Sequence, residues 1–357
     1  MDRALDLHAD VVDLARALCD VPSESGDERA LADLVEDALR GLRHLRVDRD
    51  GDAVVARTNL GRARRVVVAG HLDTVPIADN LPTRLEDGVL WGRGTVDMKG
   101  GVAVQLALAA ELTSPAHDLT WVFYDHEEVA ADLNGLGRLV RTHPDWVRGD
   151  FAVLCEPTAG GLEGGCNGTL RVDVVLHGVA AHSARAWAGK NAVHAAGEVL
   201  RRLEAYEPAT VEVDGLAYRE SLNATLISGG TAPNVIPDRC VVTVNYRFAP
   251  DKSLDEAEAH VRALLDGFEV NRTDGADGAR PGLDDPIAQE FAAAVLAVTG
   301  GAPSAKYGWT DVARFSSLGV PAVNFGPGDP LLAHKVDERC PVDQLRLCRD
   351  ALRAWLA

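Results

Sequence analysis

The residues of this chain that could do chemistry are acids and histidines set behind short apolar runs. His71 and Asp73 follow the run 66–69. Two positions apart in an extended chain, their side chains share one side. A carboxylate placed there can fix the orientation of a metal-binding imidazole. Asp97 stands before Met98-Lys99-Gly100-Gly101 and an apolar helical pattern over 102–112. Taken singly, His71 and Asp73 read as a surface histidine beside a turn aspartate, and Asp97 as a helix cap. The runs 119–124 and 151–155 then lead into Asp125-His126-Glu127-Glu128 and Glu156-Pro157-Thr158, and a fourth run, 322–325, precedes His334. Four runs each deliver a His, Asp or Glu at or beyond the same end.

If those ends meet, Asp73, Asp97, Glu127, Glu128 and Glu156 share one pocket, with Lys99 the one lysine near them in sequence. Carboxylates so crowded would have to take up protons, and divalent cations remove that need. With Asp97 shared, His71 and Glu156 complete the ligand set of one ion, and Glu128 and His334 that of the other. Three carboxylates and a hydroxide then balance two dications. Nitrogen and oxygen ligands without thiolate suit two Zn²⁺ per subunit and admit Co²⁺ or Mn²⁺. Glu127 and Glu128 are adjacent and would point to opposite sides of an extended chain. One can ligate while the other faces the substrate, and Glu128 is assigned as ligand and Glu127 as general base.

The elements that must carry these residues follow from pattern. Short β-branched runs such as 66–69 read as buried strands of a mostly parallel sheet, and ligand sites of open α/β sheets lie beyond the carboxyl ends of strands. The segment 27–42 carries Leu31, Leu34, Val35, Ala38, Leu39 and Leu42 at helical spacing. After Gly164-Gly165 the pattern changes. Strands over 169–176, 221–228, 240–248 and 269–272, with helices over 191–206 and 253–268, give the order β-α-β-β-α-β of a ferredoxin-like unit. The Gly-, Asp- and Pro-rich segment 273–285 reads as the return linker, and 286–298 as a helix of the first domain. The expected class is α/β: a mixed sheet flanked by helices, built from 1–168 and 282–357, interrupted by a ferredoxin-like α+β domain at 169–281.

A chain of 357 residues exceeds what one core usually serves. Its 36 basic and 54 acidic residues give a net charge of −18, which argues against nucleic acid or an anionic membrane as partner. An anionic substrate then needs a local arginine pocket. The 6 cysteines form no CxxC pair, which favours free thiols and a reducing compartment. There is no basic n-region followed by an apolar h-region and no apolar stretch long enough to span a bilayer, so a cytoplasmic protein is expected. No GxGxxG follows an early strand, which disfavours a nicotinamide enzyme.

The segments GHLDTVP, GRGTVDMKGG, DHEEV and CEPT, in that order and followed by a late histidine, resemble the two-zinc aminoacylase/carboxypeptidase family of metallohydrolases over essentially the whole chain. The family's EEG reads Glu127-Glu128-Val129 here. The resemblance implies a zinc-peptidase-like catalytic domain and an inserted dimerisation and lid domain. It implies metal ligation by His71, Asp97, Glu128, Glu156 and His334, a base at Glu127, orientation of the first histidine by Asp73, and a cis peptide after Asp97. His182, in HGVAAHSAR, matches a residue that reaches a partner subunit's site and donates to the developing oxyanion, so a homodimer is implied. Asn234, Arg247, Thr310 and Arg314 match substrate-side positions, where an arginine's planar fork can clamp a carboxylate. The implied substrate is a small anionic N-acyl amino acid. The segments HSARAWAGKNAVH, GWTDVARF and AVNFGPGDPLLAHKVDE look most like the branch that removes succinyl groups, although Cys166-Asn167-Gly168-Thr169 replaces an arginine-containing segment found elsewhere in that branch. Sister N-acyl amino acid hydrolases and dipeptidases share the metal site, and a non-catalytic ligand-binding paralogue is the alternative of another class.

Overall fold

The structure is a computed structural model that describes residues 4–357. Within it the chain divides into two compact units.

The first unit comprises the residues up to Gly164, Pro281–Ser304 and Arg314–Ala357. Its sheet runs in the order Arg46–Asp50, Ala53–Arg57, Asp118–Tyr124, Arg65–His71, Phe151–Leu154, Ala322–Asn324 and Glu163–Gly164. Arg65–His71 is parallel to both of its neighbours, and Ala322–Asn324 is parallel to Phe151–Leu154. The four strands expected to deliver acids and histidines are therefore adjacent and point the same way. Antiparallel pairing of Ala53–Arg57 with Asp118–Tyr124 makes the sheet mixed. Arg65–His71 and Asp118–Tyr124 are buried nearly throughout, which is why they read as uninterrupted apolar runs rather than alternating ones.

The helix Lys99–Glu111 is buried at every position but its last. Its start lies close to a neighbouring strand: a Cβ on Gly101 would fall 2.2 Å from the carbonyl oxygen of Cys155. Only glycine permits that approach, and it brings Asp97, just before the helix, towards Glu156, just after the strand. The Asp97–Met98 peptide is cis.

The second unit comprises Gly165–Arg280 and Ala305–Ala313. Its antiparallel sheet has the order Ser221–Gly229, Arg239–Phe248, Gly168–His177 and Glu269–Ala276. Inward side chains such as Val172, Val174, Val242 and Val244 share a core with Val199 and Leu203 of helix Ala192–Glu204 and Val261 of helix Leu254–Leu264. This is the β-α-β-β-α-β arrangement, with a hairpin of Thr210–Val213 and Leu216–Arg219 added before the second strand.

Two expectations need correction. The segment 273–285 is not all linker, because strand Glu269–Ala276 continues to Ala276 after a register shift between Arg272 and Asp274. Nor is the inserted unit bounded at 169–281. It begins at Gly165 and takes in Ala305–Ala313. Cys166 bridges Ala279, and the Asn167 N–H donates to the Lys306 carbonyl, which ties both segments to it.

Candidate metal centre

His71 ends strand Arg65–His71 and is buried. Its Nδ1 lies 2.9 Å from the main-chain carbonyl of Asp73 and 3.4 Å from that residue's carboxylate. Its Nε2 faces Asp97 Oδ1 at 3.2 Å. The other oxygen of Asp97 lies 3.3 Å from His334 Nε2, which is also 3.1 Å from Glu128 Oε1. One carboxylate thus turns one oxygen to each of two imidazoles. Glu156, buried at the end of Phe151–Leu154, offers a third ligand atom within 4.8 Å of those of His71 and Asp97, and Asp97, Glu128 and His334 form a second such group.

The Asp73 side chain also reaches the segment after strand Asp118–Tyr124. Its buried carboxylate accepts from the N–H groups of Glu127 and Glu128, both at 3.0 Å, and from the Ser25 hydroxyl at 2.7 Å. The reasoning that adjacent acids point to opposite sides does not hold here. His126 has a φ of 59° and the segment bends, so both Glu127 and Glu128 bring a carboxylate oxygen within 4.8 Å of a His71 nitrogen. The bend follows from one carboxylate gathering two successive amides. Burial would raise the pKa of Asp73, but His71 and those amides outweigh it and hold it down at about 2.

The side chains fit divalent ions. Ligand atoms of a tetrahedral zinc, at about 2.1 Å from the metal, stand about 3.4 Å apart, close to the separations above. Charge points the same way. Hydrogen bonds to Asp97 and Glu128 push His334 up to about 10. Burial opposes a charge on His71, yet Asp73 and Asp97 hold its pKa well above the ordinary value. Burial and the Asp97 charge raise Glu128.

The remaining sequence candidates lie elsewhere in the chain. His182 ends the short strand Ala181–His182, paired with Val235–Ile236, and its Nδ1 accepts from Ala184 N–H at 3.1 Å. Asn234 lies just before Val235–Ile236, its carbonyl accepting from Ser183 N–H at 2.9 Å. Arg247 lies on Arg239–Phe248, its Nε donating to Asn245 at 3.2 Å. Thr310 is buried in the second unit, whereas Arg314 lies in the first on helix Val312–Ser317. The continuous motif GWTDVARF is thus divided between the units. Sequence reasoning missed Glu28, whose buried carboxylate accepts from His126 N–H at 3.1 Å, and the buried pair of Glu338 and Arg93. The one available signal for Glu338 was its place four residues after His334.

Comparison with known proteins identifies the family. The profile of peptidase family M20/M25/M40 matches residues 67–357. A Mycobacterium tuberculosis protein, provisionally named a succinyl-diaminopimelate desuccinylase, is 54% identical over 355 residues, 99% of each chain. The succinyl-diaminopimelate desuccinylase of Corynebacterium glutamicum is 49% identical over 363 residues, covering 99% of this chain and 98% of that one. In fold, a tripeptidase from Staphylococcus aureus superposes with a TM-score of 0.80 at 17% identity, over 99% of this chain and 98% of its own.

Proposed function

This chain belongs to peptidase family M20/M25/M40, and from that premise we propose that it hydrolyses N-succinyl-LL-2,6-diaminopimelate to succinate and LL-2,6-diaminopimelate. The Asp97 carboxylate, one oxygen facing His71 and the other His334, carries the reaction class. The acyl group and amino acid rest on relatives similar over the full length.

His71, Glu156 and one oxygen of Asp97 would hold one ion, and Glu128, His334 and the other oxygen of Asp97 a second. Two Zn²⁺, or Co²⁺ or Mn²⁺ in their place, would supply Lewis acidity there and bring the pKa of water towards about 7. Glu127 takes the proton of the attacking water on a carboxylate oxygen and returns it to the leaving amine nitrogen. Asp73 holds the turn on which Glu127 and Glu128 sit. His182 donates an N–H to the developing oxyanion, a contribution worth roughly 3–4 kcal/mol in comparable sites. Asn234, Arg247, Thr310 and Arg314 take the polar groups of the substrate, the arginines its carboxylates.

The working form in this proposal is a homodimer, with His182 serving the partner's site. In support, Ser221–Gly229 is an edge strand, exposed from Asn223 onward, with Leu226 69% and Ile227 53% exposed. An uncovered edge of that kind invites pairing with another strand. Light scattering on the eluted protein should give twice the chain mass, and a monomer would remove this part. No helix among the described residues is long and apolar enough to cross a membrane, and all six cysteines are free thiols. Both accord with a cytoplasmic site of action.

The deciding experiment compares zinc-loaded protein on N-succinyl-diaminopimelate and N-acetylornithine. Turnover of the succinyl substrate well above the acetyl one supports the proposal. The reverse order makes the protein a sister deacylase, and metal binding without hydrolysis of any N-acyl amino acid makes it a binding protein.

A further inference from the structure

Three of the ligand-bearing segments are fixed by the sheet or by the buried turn at Asp73. His334 is not. It lies in a loop, with φ 64° and a side chain 55% exposed. What holds that loop is a pair of charges buried beside it. Arg93 and Glu338 are 3% and 1% exposed, with Arg93 Nη1 2.7 Å from Glu338 Oε2. The other oxygen of Glu338 accepts from Val96 N–H at 2.9 Å and from Asp97 N–H at 3.2 Å. Arg93 Nη1 also donates to the carbonyl of Lys335, the residue after His334, and its Nε donates to the carbonyl of Pro76, both at 3.2 Å. One ion pair thus grips the backbone of Asp97 and the chain that leaves the loop bearing His334.

We propose that Arg93 and Glu338 are positioning residues for one of the two ions, the one assigned to Asp97, Glu128 and His334. The inference rests on the two-ion reading above. The pair fixes the register between Asp97 and the His334 loop, so this ion depends on it. The other ion, on His71, Glu156 and one oxygen of Asp97, draws two of its three ligands from the ends of strands Arg65–His71 and Phe151–Leu154 and depends on the pair less. Neither Arg93 nor Glu338 touches an ion or substrate in this account. Both act through the backbone of residues that do.

The test titrates metal-free protein with Zn²⁺ by calorimetry and with Co²⁺ by visible absorption. Wild type should take up two ions. Glu338→Gln should weaken one event by about 10- to 100-fold, the usual effect of losing a residue that supports a ligand, and the other, which shares only Asp97 with it, by less. A buried charge left alone can unfold a protein, whereas replacing both partners by apolar groups is often neutral for stability. The double variant Arg93→Met with Glu338→Leu therefore separates packing from positioning. If the pair only packs, a folded double variant binds both ions normally. If it positions, the folded double variant still binds one ion weakly. Two wild-type events in either variant, or equal weakening of both, overturns the proposal. Fewer than two events in the wild type overturns the two-ion reading instead.

Discussion

Replacing Asp73 with Asn removes one charge and changes nothing in size. In the native site its carboxylate accepts from two amides and a hydroxyl, all from full burial. Asparagine keeps one accepting oxygen and presents an NH₂ to the other donors. One charge-assisted hydrogen bond is lost and an amide is left facing a donor, a cost of about 2–3 kcal/mol. The turn can relieve this only by moving, and it carries Glu127. If the whole cost appears in the transition state, kcat falls about 30- to 150-fold. Steady-state rates on N-succinyl-diaminopimelate at saturating zinc, with a melting curve as control, measure it. KM should stay near the wild-type value because the substrate's polar groups are held elsewhere. A kcat within twofold of wild type, with an unchanged melting temperature, would refute the reasoning that this carboxylate sets the position of the base.

Other outcomes follow from the same geometry. Glu127→Gln should lower kcat by about 10²- to 10⁴-fold, the range of a general acid–base group, with ion content by elemental analysis unchanged. Chelation should abolish turnover and lower the melting temperature, since an ion at 100 times its Kd stabilises by about 2.7 kcal/mol; added zinc should restore both. Asp118 gives a pH signature away from the site. Burial would raise its carboxyl, but the N–H groups of Leu60 and Arg62, the Thr58 hydroxyl and the nearby Arg65 outweigh burial and lower it. Stability contributed by a depressed carboxyl is complete above its unfolded pKa, about 3.9, and is lost as pH falls through the folded value. Denaturant unfolding of Asp118→Asn should therefore show its largest deficit near neutral pH and converge with wild type in acid.

The sheet was readable because its central strands are buried on both faces and appear as unbroken apolar runs. The site was readable because those strands are parallel, so acids and histidines far apart in sequence emerge at one end. What stayed hidden depends on backbone groups, which leave no mark on residue identity. Nothing in the sequence says that Asp73 takes the amides of Glu127 and Glu128. Glu338 meets Arg93 across 245 positions, and its remaining bonds are to main chain. The strands Arg84–Glu86, Val89–Trp91 and Arg339–Pro341 are three residues each, too short to show a period, and the last pairs only after the chain returns from the second unit. Thr310 and Arg314 read as one motif because proximity in sequence does not report where a unit boundary falls.

The central claim is that two metal ions share Asp97. Crystals of the zinc-loaded protein, measured on either side of the zinc absorption edge, test it directly. The account predicts two anomalous peaks, one between His71, Glu156 and Asp97 Oδ1 and the other between Asp97 Oδ2, Glu128 and His334. A single peak, or peaks that leave Asp97 outside bonding distance, would contradict it.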